Sequence, residues 1–118
     1  MANIYDIAFE LARAIEKDEN YLLVKQLSQK VMNHPEKSKK VDEFRFQQFQ
    51  LQKNQMQGSP VGPKEMEKMN QLYEELIKDL ELKQLLEAEQ RLSVLFADIN
   101  RILTGPLERI YTKDENFN

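Results

Sequence analysis

The sequence contains no cysteine and no tryptophan, and it has only three glycines, four prolines and one histidine in 118 residues. Without cysteine, the chain can form no disulfide, no thiol nucleophile and no thiolate metal site. The scarcity of glycine and proline disfavours a fold of many short strands joined by tight turns. No apolar run approaches the roughly 18 residues that span a bilayer, and the start MANIYDIAFE lacks the basic residues of a secretory signal. These absences predict a soluble, cytoplasmic protein.

The residues that are abundant indicate helices. Hydrophobic residues make up 41% of the chain and charged residues 31%, and glutamate, lysine, leucine and glutamine are frequent. In a chain long enough for one core, this composition predicts an all-α bundle of about five helices with a long helical hairpin. The formal net charge of −3 lacks the basic excess that is typical of proteins that bind nucleic-acid phosphates. Direct nucleic-acid binding is therefore disfavoured.

Apolar residues recur three and four positions apart along most of the chain, as on one face of a helix. The pattern predicts one helix from the N-cap Asn3 to about residue 16, a second over roughly 19–33 and a third from Pro35 to Gly58. Proline favours the first turn of a helix because its fixed backbone angle suits that position. The segment GSPVGP, residues 58–63, is the one clear turn and predicts a hairpin.

Residues 64–104 contain no glycine or proline, and one unbroken helix of that length would be about 60 Å long. A compact domain of this size has a radius of gyration of only about 13 to 14 Å. The apolar heptad positions shift phase near residues 79–82, which predicts a break or kink there. Gly105-Pro106 is then expected to end the helix before a last short helical turn. We expect one helical domain over residues 1–111 and a frayed tail over 112–118.

The segment LLEAEQRLSVL, residues 85–95, places charged side chains inside a run of leucines. Glu87 is expected on the solvent side, where Arg91, four residues later, can pair with it. Glu89 flanks the apolar seam and needs an arginine or a tyrosine hydroxyl as a partner if it is partly buried. At about 100° per residue, the seam itself is narrow and is expected to form the helix–helix core: Leu85, Ala88, Leu92, Leu95 and Ile99.

Three apolar side chains, Phe9, Phe46 and Val94, lie off the main apolar face of their helices. They are either buried on a second side of an ordinary bundle or exposed as a surface for another subunit or protein. Because so short a chain has more apolar faces than it can cover, we expect self-association. The candidate contact residues are Phe9, Phe46, Val94 and Glu89.

No pattern indicates a catalytic, cofactor-binding or metal-ligating residue. Glu87 and Glu89 point roughly 160° apart on a helix and cannot share a proton or a metal ion. A helical di-metal site needs Glu-x-x-His spacing on two helices, whereas His34 is the only histidine and lies at a helix end. No glycine-rich phosphate loop or nucleophile elbow occurs. A carboxylate-dependent metalloenzyme is therefore the weaker alternative to an interaction protein.

The one dense basic patch contains Lys37, Lys39 and Lys40, directly after a proline. A solvated helix start is the simpler interpretation of this patch. A direct RNA-binding protein is the other alternative, and it would need Arg45 and Lys53 of the same helix to extend the patch.

Three segments that together cover nearly the whole chain resemble a known family: NIYDIAFELARAIEKDENYLLVKQLSQKV, FRFQQFQLQKNQMQG and LLEAEQRLSVLFADINRILTGPLERIY. They are similar to the YheA branch of the YlbF/YmcA family of small bacterial proteins. The most specific part is EAEQRL, followed by the apolar repeat and a closing Pro-Leu-Glu. The resemblance implies an all-helical fold and association into dimers or larger assemblies.

Better-studied branches of this family are non-enzymatic accessory factors in Gram-positive bacteria. The resemblance therefore implies that this protein joins a complex that works with ribonuclease Y in messenger-RNA processing. It also implies effects on competence, sporulation and biofilm formation. It implies no catalytic residues. The complex of the better-studied branch has been linked to iron–sulfur clusters, but a chain without cysteine supplies no thiolate ligands, so that property is not carried over.

Overall fold

The computed structural model describes residues 3–59 and 61–112, and within these ranges the chain forms five α-helices and no strand. The helices are α1 (Ile4–Glu16), α2 (Glu19–Met32), α3 (Pro35–Met56), α4 (Pro63–Leu76) and α5 (Leu80–Tyr111). The predicted all-α fold of about five helices is confirmed. Residues 113–118, most of the predicted tail, lie outside the described residues.

Side-chain caps determine where three of the helices begin. The Asn3 Oδ1 atom accepts a hydrogen bond from the backbone N–H of Tyr5 at 2.7 Å. Asp18 and Asp79 accept from backbone N–H groups at the starts of α2 and α5 in the same way. These N–H groups have no partner inside the helix, so each cap stabilises the end that it covers.

The turn after α3 depends on Gly58, whose φ of 77° lies in the left-handed region that other residues rarely adopt. The Ser59 N–H donates to the Asn54 carbonyl at 2.8 Å, which closes the end of the helix. Helices α3 and α4 then pack together, and the rings of Phe44 and Tyr73 lie 6.0 Å apart. The predicted hairpin is confirmed.

The long stretch without glycine or proline is broken, as predicted. Helix α4 ends at Leu76 and α5 begins at Leu80, so the break covers residues 77–79. Asp79 caps α5 through the N–H of Leu82 at 3.2 Å. The break therefore lies mostly before the predicted range of 79–82 and overlaps it only at Asp79.

The expectation that Gly105-Pro106 ends the last long helix is wrong. Helix α5 continues through both residues to Tyr111. Proline opposes a helix partly by clashing with the Cβ of the residue before it, and Gly105 has no Cβ. Pro106 still leaves the Ile102 carbonyl without its usual N–H donor, but Ile102 lies in an exposed part of the helix, where water is available.

The core lies where α2, α3, α4 and α5 meet. Seven side chains form it: Leu27, Val31, Val41, Phe44, Leu76, Leu82 and Leu85. Helices α2 and α5 run antiparallel. Asn20, at the start of α2, accepts a hydrogen bond from Arg91, whereas Val31 near the end of α2 and Leu82 near the start of α5 belong to the same buried cluster. Helix α1 packs on α2 and has no buried residue. The radius of gyration of 18.8 Å exceeds the roughly 13.5 Å of a compact chain of this length, so the molecule is elongated.

Candidate interaction surfaces

The fold divides the apolar seam that the sequence predicted on α5. Leu85 and Ala88 are buried, with 1% and 0% of their surface exposed. Leu92, Leu95 and Ile99 are only half-buried. Because α2 begins at Glu19, close to the Asn20–Arg91 contact, α5 extends past the end of its main partner helix.

Arg91 joins α5 to the start of α2, because its Nε donates to the Asn20 Oδ1 at 2.7 Å. Glu87 is exposed. The prediction of a Glu87–Arg91 ion pair is wrong, because the described residues form no such pair. An exposed pair of that spacing contributes only a few tenths of a kcal/mol, whereas a hydrogen bond from a charged group contributes about 1.5–3 kcal/mol. The tertiary partner is therefore the stronger one.

Glu89 joins α5 to α3. Its Oε1 atom accepts a hydrogen bond from the Arg45 Nη2, and the two side chains are 30% and 47% exposed respectively. A partly buried Glu89 was expected to need an arginine or a tyrosine hydroxyl, and the same chain supplies the arginine. The charged residues of LLEAEQRLSVL thus join α5 to two other helices, to α3 through Glu89 and to α2 through Arg91.

The basic patch at the start of α3 faces carboxylates from α4 and α5. The Lys37 Nζ lies 2.8 Å from the Asp79 Oδ2 and 2.9 Å from the Glu81 Oε1, and the Lys40 Nζ lies 3.3 Å from the Glu75 Oε1. Hydrogen bonds to Asp79 and then Glu81 raise the pKa of Lys37, and the bond from Lys37 lowers the pKa of Asp79. The patch therefore offers less free positive charge to a phosphate backbone than its sequence indicates.

Residues 3–59 and 61–112 contain no group of three or more His, Asp or Glu side chains that could hold a metal ion. His34 is exposed at the start of α3 and makes no side-chain capping bond. An open groove of about 890 Å³ lies between α3, α4 and α5. Its lining combines aromatic residues, glutamines and the helix-joining Arg45, Glu89 and Arg91.

The side chains predicted to contact another subunit or protein lie on three different helices. Phe9 on α1 is 63% exposed, Phe46 on α3 is 57% exposed and Val94 on α5 is 50% exposed. They are available to a partner, and their role as contacts stays a prediction.

A larger set of exposed apolar residues was not identified from periodicity, which indicates an apolar face but not whether anything covers it. We call them the uncovered stripes: Ile4 and Ile7 on α1, which are 82% and 52% exposed, and Ile102, Leu103 and Ile110 on α5, which are 68%, 59% and 71% exposed. The difference in length between neighbouring helices could have identified these residues. Helix α5 has 32 residues, and its main partner α2 has 14, so α2 cannot cover the whole of α5.

These features define an elongated all-α protein whose helices are joined by ion pairs and whose first and last helices, α1 and α5, expose apolar stripes. None of the described helices combines the length and the hydropathy that a membrane span requires. Residues 4–108 match the model of the family described as "Control of competence regulator ComK, YlbF/YmcA". The chain belongs to the YlbF/YmcA family.

Its relatives include a UPF0342 protein of Alkalihalophilus pseudofirmus, 41% identical over 116 residues and 98% of each chain. A UPF0342 protein of Bacillus licheniformis is 36% identical over 114 residues and 97% of each chain.

Two solved structures share the fold over 93% of this chain. The structure described as "Protein of Unknown Function (DUF964) from Bacillus stearothermophilus" has a TM-score of 0.75 and 24% identity over 96% of its length. The structure described as "yheA from Bacillus subtilis" has a TM-score of 0.62 and 27% identity over its whole length. The chain is thus a YheA-like member of its family, which confirms the resemblance seen in the sequence.

Proposed function

We propose that this protein is a non-enzymatic assembly factor of the cytoplasm, which acts by binding further copies of itself and other proteins. Its specific role is that of an accessory factor in messenger-RNA processing linked to ribonuclease Y, with effects on competence, sporulation or biofilm formation. The observation that carries the proposal is the amount of surface, much of it apolar, that the single chain leaves uncovered.

The accessible surface of the chain is 9697 Å² for a mass of 14.0 kDa. A compact monomer of that mass exposes about 6,700 Å², which leaves an excess of about 3,000 Å². Subtracting roughly 170 Å² for each of the nine residues outside the described ranges still leaves about 1,500 Å² of excess. A stable interface buries about 800 Å² per partner, so the excess is enough for at least one interface.

The chemistry of this surface also supports binding to protein. Helix α1 has 13 residues and no buried side chain. Isolated helices of fewer than about 12 to 15 residues are marginal in water, so α1 depends on a surface that covers its apolar face. The α5 stripe is likewise made of large aliphatic side chains, which occur in the cores of protein interfaces.

The family description supports a regulatory role, since it connects the family to control of the competence regulator ComK. The ion pairs of Lys37, Lys40 and Arg45 favour protein binding over direct RNA binding. Each of these cations is already paired with a carboxylate of the same chain, which leaves less positive charge for a phosphate. A surface that binds the proteins of an RNA-processing complex does not need the basic stripe that an RNA-binding protein uses.

A crosslinked affinity pull-down from the native cell tests the proposal, with two differently tagged copies of the chain. Ile102→Gln places an amide in the uncovered α5 stripe at a position that is 68% exposed, so the fold should be unaffected. Lys83→Gln, at an exposed polar position of the same helix, is the matched control. We expect wild type and Lys83→Gln to recover ribonuclease Y or its accessory proteins, and Ile102→Gln to lose them.

Recovery of the second tagged copy alone would contradict the RNA-processing role and leave the assembly role standing. Recovery of neither, together with a monomeric mass in solution, would contradict the whole proposal.

A further inference from the structure

The outer side of α3 carries six exposed residues spaced alternately three and four positions apart, which we call the outer strip: Lys39, Asp42, Phe46, Phe49, Lys53 and Met56. This spacing places the six residues on one side of the helix, and three of them have large apolar side chains. Phe46, Phe49 and Met56 are 57%, 61% and 88% exposed. The outer strip thus exposes three large apolar side chains on a side of α3 that the other described helices leave mostly uncovered.

The contacts that α3 makes inside the chain leave most of the outer strip unused, although Phe49 lines the edge of the groove between α3, α4 and α5, and Lys39 lines a smaller groove against α4. At about 100° per residue, the strip lies roughly 140° from the side that carries the buried Val41 and Phe44. The ion pairs of α3 with α4 and α5 come from Lys37, Lys40 and Arg45, none of which belongs to the strip.

The order of residues along the outer strip is self-complementary. Its midpoint lies between Phe46 and Phe49, and Asp42 and Lys53 lie at equal distances on either side. We propose that a second copy of this chain binds the outer strip with its own α3, antiparallel, about a twofold axis at this midpoint. This inference rests on the self-association in the proposed function and identifies one surface that carries it.

In this arrangement Asp42 and Lys53 each meet an opposite charge. Phe46 faces the partner's Phe49, Asp42 faces the partner's Lys53, and Lys39 lays its aliphatic stem along the partner's Met56. The twofold axis repeats every contact, as an isologous dimer requires. The interface then has an aromatic centre with an ion pair on each side of it.

Other alignments of α3 with the partner's α3 bring unfavourable pairs of side chains together. A parallel, in-register pair would set Asp42 against Asp42 and Lys53 against Lys53, which is repulsive. A shift of the antiparallel pair by one heptad would set Asp42 against Phe46 in one direction and Lys53 against Phe49 in the other. Only the central antiparallel register pairs both charges and keeps the two phenylalanines together.

The glutamine-rich middle of α3 suits the edges of the same interface. On one edge Glu43 lies opposite the partner's Gln50, and on the other Arg45 lies opposite the partner's Gln52. A glutamine amide can donate to a carboxylate or accept from a guanidinium, so neither edge opposes like charges. The antiparallel register thus gives Gln50 and Gln52 polar partners on the two edges of the interface.

Charge reversal tests the register by sedimentation equilibrium. Asp42→Lys and Lys53→Asp each create two repulsive pairs in the dimer, and we expect each to raise the dimer Kd at least about tenfold. The double variant restores both opposite-charge pairs and should return the Kd to within about threefold of wild type. Glu67→Lys, an exposed reversal on α4, is the control and should leave the Kd unchanged. A double variant as weak as either single variant overturns the proposal.

Disulfide crosslinking tests the direction, and the absence of cysteine in the natural chain removes any background. The double variant Asp42→Cys with Lys53→Cys should give a covalent dimer on oxidation. Each single variant should not, because identical positions lie roughly 16 Å apart along an antiparallel pair, far beyond disulfide reach. Crosslinking of the single variants would indicate parallel pairing and overturn the proposal.

The failure of this inference and of the proposed function can be told apart. If the wild-type chain is monomeric at high micromolar concentration, both self-association and α3 pairing are wrong. If it is dimeric and neither charge reversal nor crosslinking gives the expected result, self-association stands and the α3 interface is wrong.

Discussion

The two halves of α5 carry the same apolar stripe in different surroundings. Leu85 and Leu103 are about five helical turns apart, so their side chains lie on the same side of the helix. Leu85 is 1% exposed against α2 and the core, whereas Leu103 is 59% exposed where α2 no longer covers the helix. Helical periodicity indicates which face of a helix is apolar, but it contains no information about what covers that face.

The largest effect that tests this comparison is expected from Leu85→Ala. Removing a fully buried leucine side chain loses its transfer free energy and leaves a cavity, which should lower the free energy of unfolding by about 2–5 kcal/mol. Urea denaturation followed by circular dichroism measures it.

Leu103→Ala is the matched control for Leu85→Ala, with the same atoms removed from the same side of α5. In dilute protein it should cost less than about 1 kcal/mol, because the side chain is already in contact with water. Equal losses in the two variants would contradict the difference between the two halves. A Leu103→Ala loss that grows with protein concentration would indicate that an assembly covers the second half.

Leu92→Ala measures where the covered half of α5 ends. Its side chain is half-buried, so we expect a loss of about 1–2 kcal/mol, between the losses of Leu85→Ala and Leu103→Ala. The same urea titration measures this loss. A loss as large as that of Leu85→Ala would place the boundary after Leu92.

Asp79 tests the start of the covered half, because it both caps α5 and pairs with Lys37. Asp79→Ala should cost about 1 kcal/mol through loss of the cap, whereas Asp79→Asn keeps a good capping residue and removes only the charge. Thermal melts of both variants measure the two contributions. If the two variants lose equal stability, the cap contributes nothing.

The charge contribution of Asp79 should depend on pH. The hydrogen bond from Lys37 lowers the pKa of Asp79, so the contribution is present above the ordinary value of 3.8 and is lost as the pH falls through the lower folded pKa. The pKa of Lys37 is raised, so its contribution is present below the ordinary value of 10.5 and is lost as the pH rises through the higher folded pKa. The difference between wild type and Asp79→Asn should therefore be largest between these two limits and vanish in strong acid.

Glu87→Ala should have the smallest effect, within about 0.5 kcal/mol, because the side chain is exposed and forms no ion pair among the described residues. It shares the segment LLEAEQRLSVL with Leu85 and so tests the assigned phase of the helix. Thermal melts that rank Glu87→Ala above Leu85→Ala would contradict that phase.

Local signals were enough to predict most helix ends. Asn3, Asp18 and Pro35 mark helix starts, and Gly58 marks a helix end, through effects that extend over only a few residues. The break after α4 was predictable because the apolar pattern changes phase there. Gly105-Pro106 was misjudged because glycine and proline are common just after a helix C-terminus, whereas here Gly105 lacks the Cβ atom that would clash with Pro106 inside a helix.

The candidate surfaces were less predictable. Phe46 was recognised as lying off the core face of its helix, but Phe49 and Met56 were not recognised as lying on the same outer strip. The partner of Arg91 was misassigned because Asn20 is 71 residues away in the chain, beyond the range of any helical spacing.

The sequence by itself determined that this protein is all-helical, where most of its helices begin and end, which face of each helix is apolar, and that thiol chemistry is absent. Caps, turn residues and side-chain periodicity act between neighbours in the chain, so a reader of the sequence has all the information that they use. Only the tertiary structure decided which half of the α5 stripe is buried and which carboxylates meet Lys37 and Arg45. Those outcomes depend on the relative lengths and positions of helices that are far apart in the chain, and the free energy of burial is gained only where one helix meets another.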